Sequence, residues 1–282
     1  MATGNITVTT AANFIPELWS PMTKRAVESN LTMARLVMRD FEGEIKQRGD
    51  TVHIADISNL SVGDKSASTN VNYETITEGK TDITIDKHKY AAFKLEDIVA
   101  VQSNVNLMSE YSNKLAYALA KQIDTDLLAL YVALSQSCGA DNTAITNDTF
   151  LTAIQYLDLA DAPETDRSGV FNAGQKANFL NVDEFVRYDA NGIGGTQNPI
   201  IRGQFGELYG VKIYFSTNVT TTGSPSGDHN LVFHKEAFAL AMQRDIRMQS
   251  QYDIDALADK VVADVLYGVS EYRDTFGVVV KS

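Results

Sequence analysis

The residues in this chain whose types and spacing offer chemistry are a few glycines, histidines and carboxylates. Gly169-Val-Phe-Asn-Ala-Gly174-Gln175-Lys176 comes nearest to a phosphate loop. Such a loop needs lysine directly after the second glycine, then serine or threonine to hold the metal. Here Gln175 intervenes and Ala177 follows Lys176, so the segment reads as a strand entering a helix. Gly192, Gly194 and Gly195 superficially match a dinucleotide fingerprint, but that motif must open a helix. These run into Asn198-Pro199, which disfavours a helix there, and read as a loop. His53, His88, His229 and His234 show no metal-site spacing. His53 and His88 lie on two predicted hairpin strands and could face each other. Asp124 with Asp126, and Asp253 with Asp255, are two apart. On a helix that spacing puts the first pair on different faces, so it is not an acid–base dyad, and solvated or interfacial charge is expected. No Gly-x-Ser-x-Gly elbow or Ser/His/Asp set is present. No catalytic residue, cofactor or metal is expected.

Cys138 is the only cysteine. It can form neither an internal disulfide nor a cysteine-based zinc site, which suits a reducing cytoplasm. It is expected to fill space near a helix end. The net charge of −12 argues against a protein whose main work is gripping nucleic acid, because phosphate binding needs clustered Lys and Arg. No stretch approaches the roughly 18 apolar residues of a membrane span, and no cationic-then-apolar leader opens the chain. Triplets such as Asn30-Leu31-Thr32 therefore carry no glycosylation meaning.

These residues need elements to hold them. Residues 1–14 are rich in Thr, Ala and Asn and read as an extended arm; a short helix over about 21–29 follows, with Pro21 in its first turn and Ser20 as cap. From 43 to 95 the pattern is β: TVHIADI and TDITIDKHKYAAFKL alternate and flank a polar stretch, as two strands with a protruding tip. A two-stranded ribbon is marginal in water, so this one is expected to rest on a partner. Leu107, Tyr111, Leu115, Leu119, Ile123, Leu127, Leu130 and Leu134 form one apolar stripe, predicting a helix of about 30 residues, roughly 45 Å long. Ser103, Asn104 and Asn106 are its expected caps and Gly139 its stop. Asn147-Asp148-Thr149 is expected to cap a helix, SGVFN to be a strand, QKANFLN a helix, and VKIYFSTN and LVFH strands. AFALAMQRDIRMQSQYD is a further strand or strand pair, and the tail is strands broken at Gly268 and Gly277.

In RGQFGELYGVKIYFSTN, Gly203, Gly206 and Gly210 lead into a strand. With no helix after them and no Lys-Ser/Thr, they read as a bend that aims the strand into a sheet.

FIPELWSP, GDTVHIADI, ITIDKHKYAAFKLEDIVAVQSNVNLMSEYSNKLAYALAKQIDTDLL, GVFNAGQKANFLN, GQFGELYGVKIYFSTNV and LVFHKEAFALAMQRDIRM, in this order, resemble the major capsid proteins of tailed bacteriophages. The resemblance covers nearly the whole chain and implies an α+β fold of the Hong Kong 97 type. It implies an N-terminal arm and short helix (1–42), an extended hairpin or E loop with the first peripheral-domain strands (43–95) and a spine helix of the peripheral domain (96–139). An α/β axial domain (140–235) and return strands of both domains (236–282) complete it. It also implies self-assembly through pentamers and hexamers into an icosahedral head in the virion, assembled in the host cytoplasm. Scaffolding and portal proteins are implied during assembly, with DNA nearby but weakly contacted. Trp19, Lys24, Arg25, Lys46, Arg48, Asp64, Lys65, Tyr73, Glu78 and Lys80 are the expected inter-subunit contacts, and Gly203, Gly206 and Gly210 the structural turn. Met1 leads almost directly into the arm, so a scaffold is expected to be separate or already cleaved. No lysine–asparagine crosslink maps onto Lys65 or Lys80, and none is expected. The alternatives are an encapsulin-like nanocompartment shell and, more remotely, a soluble enzyme with a dispersed site.

Overall fold

The computed structural model describes residues 33–40, 51–57, 60, 62–67, 70, 71, 73, 78–97, 107–182, 206–222 and 227–282. A one-turn helix, α1 (Met33–Leu36), precedes strands β1 (Thr51–Ile57), β2 (Glu78–Thr84) and β3 (Lys87–Glu96), then the long helix α2 (Leu107–Leu128). The middle runs β4 (Ser137–Gly139), α3 (Asn147–Leu159), β5 (Arg167–Asn172), α4 (Lys176–Asn181), β6 (Glu207–Leu208), β7 (Val211–Ser216) and β8 (Thr221–Thr222). β9 (Gly227–His234), β10 (Phe238–Asp253), β11 (Ala258–Glu271) and β12 (Gly277–Lys281) close it.

The middle of the predicted stripe is the buried face of α2, with Leu115, Leu119, Ile123 and Leu127 all at most 7% exposed, whereas Tyr111 near its start is 40% exposed. A second row, Ala116, Ala120, Asp124 and Leu128, is equally buried beside it. The two alanines let α1 pack close, with Met33 and Ala34 fully buried. The described part of α2 has 22 residues, about 33 Å at 1.5 Å each, and ends before Leu130 and Leu134 by tightening into a 3-10 turn at Ala129–Val132; the expected caps Ser103, Asn104 and Asn106 lie outside the described residues. Ser137–Gly139 then pair in parallel with β12. Gly139 is therefore not a helix stop. Its φ is +79°, and a Cβ there would strike the Lys281 carbonyl. Cys138 lies on this strand rather than near a helix end; it is buried as expected, and burial pushes its thiol up to about 11.

The long alternation from Thr81 to Leu95 is divided between two sheets. β2 pairs antiparallel with β1, while β3 pairs with β11, which pairs in turn with β10. Ile85 and Asp86 make the crossing. His53 and His88 thus lie in different sheets and do not face each other: His53 stands opposite Asp82, and His88 reaches Asp264 at 3.3 Å. β10 is one strand of 16 residues with register shifts between Met242 and Arg247. β11 passes unbroken through Gly268, and the tail breaks only before Gly277.

Six strands of the mixed sheet run in the order β4-β12-β9-β5-β7-β6, with β8 paired to β9. β5 and β7 are parallel, and α3 packs over β12, β4 and β9. Its core is aromatic: Phe171 lies 4.8 Å from Phe179, 6.1 Å from Phe150 and 6.5 Å from Phe215 between ring centroids. The cap of α3 is Thr146, one residue earlier than expected, its hydroxyl accepting from Thr149 N–H at 3.3 Å. The Gly169–Lys176 segment is a strand running through a 3-10 turn into α4. Its polar residues are occupied: the Asn172 and Gln175 amides donate to Asp228 at 2.9 and 3.1 Å.

Candidate interaction surface

Among the described residues, the β1–β2 ribbon is held at its root. Ile83 and Ile85 bury against Ala239 and Ala241, with Val52, Ile54, Leu266 and Tyr272 packed around them. Small residues make this seat possible. Gly268 stands opposite Ala241, and a Cβ on it would fall on the Thr84 carbonyl oxygen. The ribbon, expected to rest on a partner, thus rests at its root on β10 and β11 of its own chain. Ala239, Ala241 and Gly268, small residues on adjacent strands, were the signal in the sequence.

Beyond the root the exposure rises. Leu60 is 66% exposed, Val62 100%, Val71 55% and Tyr73 89%. Asp64 and Lys65 are exposed in the connection between the strands, and Lys80 is exposed on β2. Glu78 opens β2 opposite Ile57. The Lys80 ammonium donates to Asp82 at 3.0 Å, and the His53 hydrogen bond followed by Lys80 holds that carboxyl below its ordinary value. Of the expected contact residues, Asp64, Lys65, Tyr73, Glu78 and Lys80 share this ribbon. Trp19, Lys24, Arg25, Lys46, Arg48 and the short 21–29 helix lie outside the described residues, as do Gly203 and the Gly192–Gly195 loop. An apolar side chain in water contributes nothing to folding, so the exposed tip has its hydrophobic surface free for another molecule.

Asp124, Asp126 and Asp253, expected to be solvated or interfacial charge, and Asp264 tie neighbouring elements together. Asp124 is 3% exposed and accepts from Met33 N–H at 3.0 Å and the Asn218 amide at 2.9 Å, tying α1 and the end of β7 to α2. Asp126, on the other side, accepts from the Tyr267 hydroxyl at 2.7 Å and lies 3.5 Å from the Lys87 ammonium. The two serve different neighbours, so they are indeed no dyad, but Asp124 is a buried acceptor rather than solvated charge. Asp253 pairs with Lys260 at 2.6 Å and Lys94 at 3.8 Å. Asp264 gathers Arg247 at 3.1 Å, Arg244 at 3.4 Å and His88. Burial alone would push its carboxyl up; Arg247, His88 and Arg244 outweigh that and hold it below its ordinary value.

The glycine-rich bend is a tight hairpin. Leu208 pairs with Val211, leaving Tyr209 (φ 49°) and Gly210 (φ +79°) as a two-residue turn. Two positive φ angles are those of the turn that suits twisted antiparallel strands. Tyr209 is held there by its hydroxyl on Asn147, 3.2 Å away, and its ring against Phe150. Gly206 has open space where a Cβ would stand, so only Gly210 of the described pair needs to be glycine. Among the described residues no group of three or more His, Cys, Asp or Glu could hold a metal, and no helix is long and apolar enough to cross a membrane.

Solved structures share this architecture. The chain is similar to a structure from Mycobacterium phage Che8, at 26% identity over 89% of this chain and 90% of that one, with a TM-score of 0.77. A capsid structure of cyanophage P-SCSP1u is 18% identical over 83% of both chains, with a TM-score of 0.67. The mature capsid of bacteriophage PhiM1 gives 16% identity over 84% and 83%, with a TM-score of 0.68. No protein-family model matches the chain, and neither does any curated protein. The mixed α+β fold is the one these phage structures have, and the encapsulin-like alternative is not favoured by them.

Proposed function

We infer that this chain is a tailed-phage major capsid protein, and that its copies close an icosahedral head around DNA through pentamers and hexamers. The observation that carries the reading is a likeness that covers 89% of the chain. In a shell, each copy must gain buried surface from its neighbours, and obligate interfaces of this kind run to about 2,000–5,000 Å². A ribbon anchored at its root, with Leu60, Val62, Val71 and Tyr73 exposed in an otherwise polar tip, supports that role. The Hong Kong 97-type assignment follows: β1–β2 as the E loop over a neighbouring copy, α2 as the spine, and β3, β10 and β11 as the peripheral domain. The mixed sheet is then the axial domain at the capsomer centre. Because that sheet takes in β4 and β12, this assignment draws residues 137–139 and 277–281 into the axial domain beside 140–235. The N-terminal arm lies across an adjacent copy, while Met33, Ala34 and Val37 stay packed in the core of their own chain, and scaffolding and portal proteins are the assembly partners. A net charge of −12 fits a wall that holds compressed DNA without gripping it.

The test is electron microscopy and sedimentation of the protein, expressed alone and with its neighbouring scaffold gene. Closed shells of uniform size are expected; small oligomers alone under both conditions would overturn the reading. Tight, salt-sensitive DNA binding by the purified chain would overturn the weak-contact part of it.

A further inference from the structure

We propose that the turn joining β10 and β11 docks on the outer face of α2 in a second copy of this chain. The turn runs from Ile254 to Leu257, since Asp253 pairs with Ala258. It holds two large apolar side chains in water: Ile254 is 78% exposed and Leu257 61%. Leu257 also sits at φ 44°, a left-handed conformation that is unfavourable for leucine. The turn is nevertheless firmly tied. Asp97 N–H donates to the Leu257 carbonyl at 3.1 Å, and the Tyr252 hydroxyl donates to Asp97 at 2.6 Å. Strain and exposed apolar surface thus coincide at one fixed point, which marks a contact with another molecule rather than a share in this chain's own core.

Charge narrows the partner. Asp253 takes up Lys94 and Lys260, leaving Asp97, Asp255 and Asp259 without a cation among the described residues. Burial, with Asp97 beside it, holds the Asp259 carboxyl above its ordinary value. Two such turns would repel each other, so the partner surface is a different one. The outer face of α2 is the complement. From Tyr111 to Gln122 its exposed residues are neutral or basic: Lys114 and Lys121 stand two helical turns apart, beside Tyr111 and Tyr117. Lys114 lies 5.7 Å from the centre of the Tyr111 ring, and neither lysine has a carboxylate partner among the described residues. The tyrosine rings offer Ile254 and Leu257 an apolar seat, and the lysines meet Asp255 and Asp259. Both surfaces are exposed on one chain, so they do not cover each other, and the contact joins different patches of two copies. Each copy then gives one turn and receives another, a head-to-tail contact that closes where the rotation allows. Nucleic acid would account for the lysines of α2 but leave Ile254 and Leu257 in water. The inference rests on the shell reading and deepens it by giving one contact its chemistry.

The experiment mixes ¹⁴N- and ¹⁵N-labelled copies, assembles shells and applies a zero-length carbodiimide crosslinker before mass spectrometry. Lys114 or Lys121 is expected to crosslink to Asp255 or Asp259 of the other isotope. Lys114→Glu/Lys121→Glu is expected to lower the assembled fraction about tenfold or more, because like charges then meet, while the subunit's circular dichroism is unchanged. Adding Asp255→Lys to that variant is expected to recover part of the loss. Leu257→Gly is expected to lower assembly while the melting temperature is unchanged or raised, since the turn loses its strain together with its apolar contact. Shells with no crosslink between copies at these lysines overturn the inference and leave the shell reading intact. So do full assembly of the double-Glu variant, and crosslinking abolished by added DNA, which would place nucleic acid on α2. Wild-type protein that forms no shells overturns both.

Discussion

The mixed sheet and the β1–β2 ribbon spend the same kind of residue in opposite ways. In the sheet, Phe150, Phe171 and Phe179 are fully buried and lie ring against ring, so their surface is removed from water within one chain. At the ribbon's root, among the described residues, Ile83 and Ile85 bury against only Ala239 and Ala241 of β10, and Val62 and Tyr73 stand almost fully in water. One region buries its apolar surface within the chain; the other, on the proposed function, buries its exposed tip against a neighbouring copy. The difference teaches where mutations will be felt. Damage to the sheet should unfold the subunit, and damage to the tip should spare the subunit and harm association.

Phe171→Ala should break the stable side most deeply, costing about 3–5 kcal/mol in denaturant unfolding through the cavity it leaves. Gly268→Val tests the joint between the regions. Its side chain meets the backbone of Thr84 and Ile85, so overpacking of about 1–3 kcal/mol is expected, with faster proteolysis of the ribbon. A normal melting curve with unchanged proteolysis would show that the seat is not what anchors β2. Asp264 gives a smaller, pH-dependent effect. A carboxyl held below its ordinary 3.8 contributes stability that is full above that value and is lost as pH falls through the lower, folded one. Acid unfolding of Asp264→Asn should therefore be flatter than wild type below about pH 4. Replacing residues 58–77 by Asn-Gly, a turn suited to the Ile57–Glu78 register, should change subunit stability least, within about 0.5 kcal/mol. The same variant should fail to form shells; normal shells would end the bridging role of the tip.

Much of the architecture was legible because it depends on local period. The stripe from Leu115 to Leu127 marked α2, and the alternations around Val211 and Leu231 marked strands of the mixed sheet. Asp124 was misread because residue type alone says a carboxylate prefers water. The alanines four and eight residues before it place it in a buried row, but only α1 and Asn218 supply the donors that make burial tolerable. Gly206 was overvalued for a related reason: a glycine needs to be glycine only where φ or a close neighbour demands it, and at Gly206 nothing does.

Period, charge and the lack of any catalytic or metal constellation are properties of the chain read one segment at a time. They determined that this is an acidic α+β protein with a ribbon, a long helix and a mixed α/β part. Which residues meet was decided only in three dimensions. The split of Thr81–Leu95 between two sheets and the seat at Gly268 each join residues far apart in sequence. No local pattern records such pairings, because the free energy that selects them comes from burial and hydrogen bonding between segments.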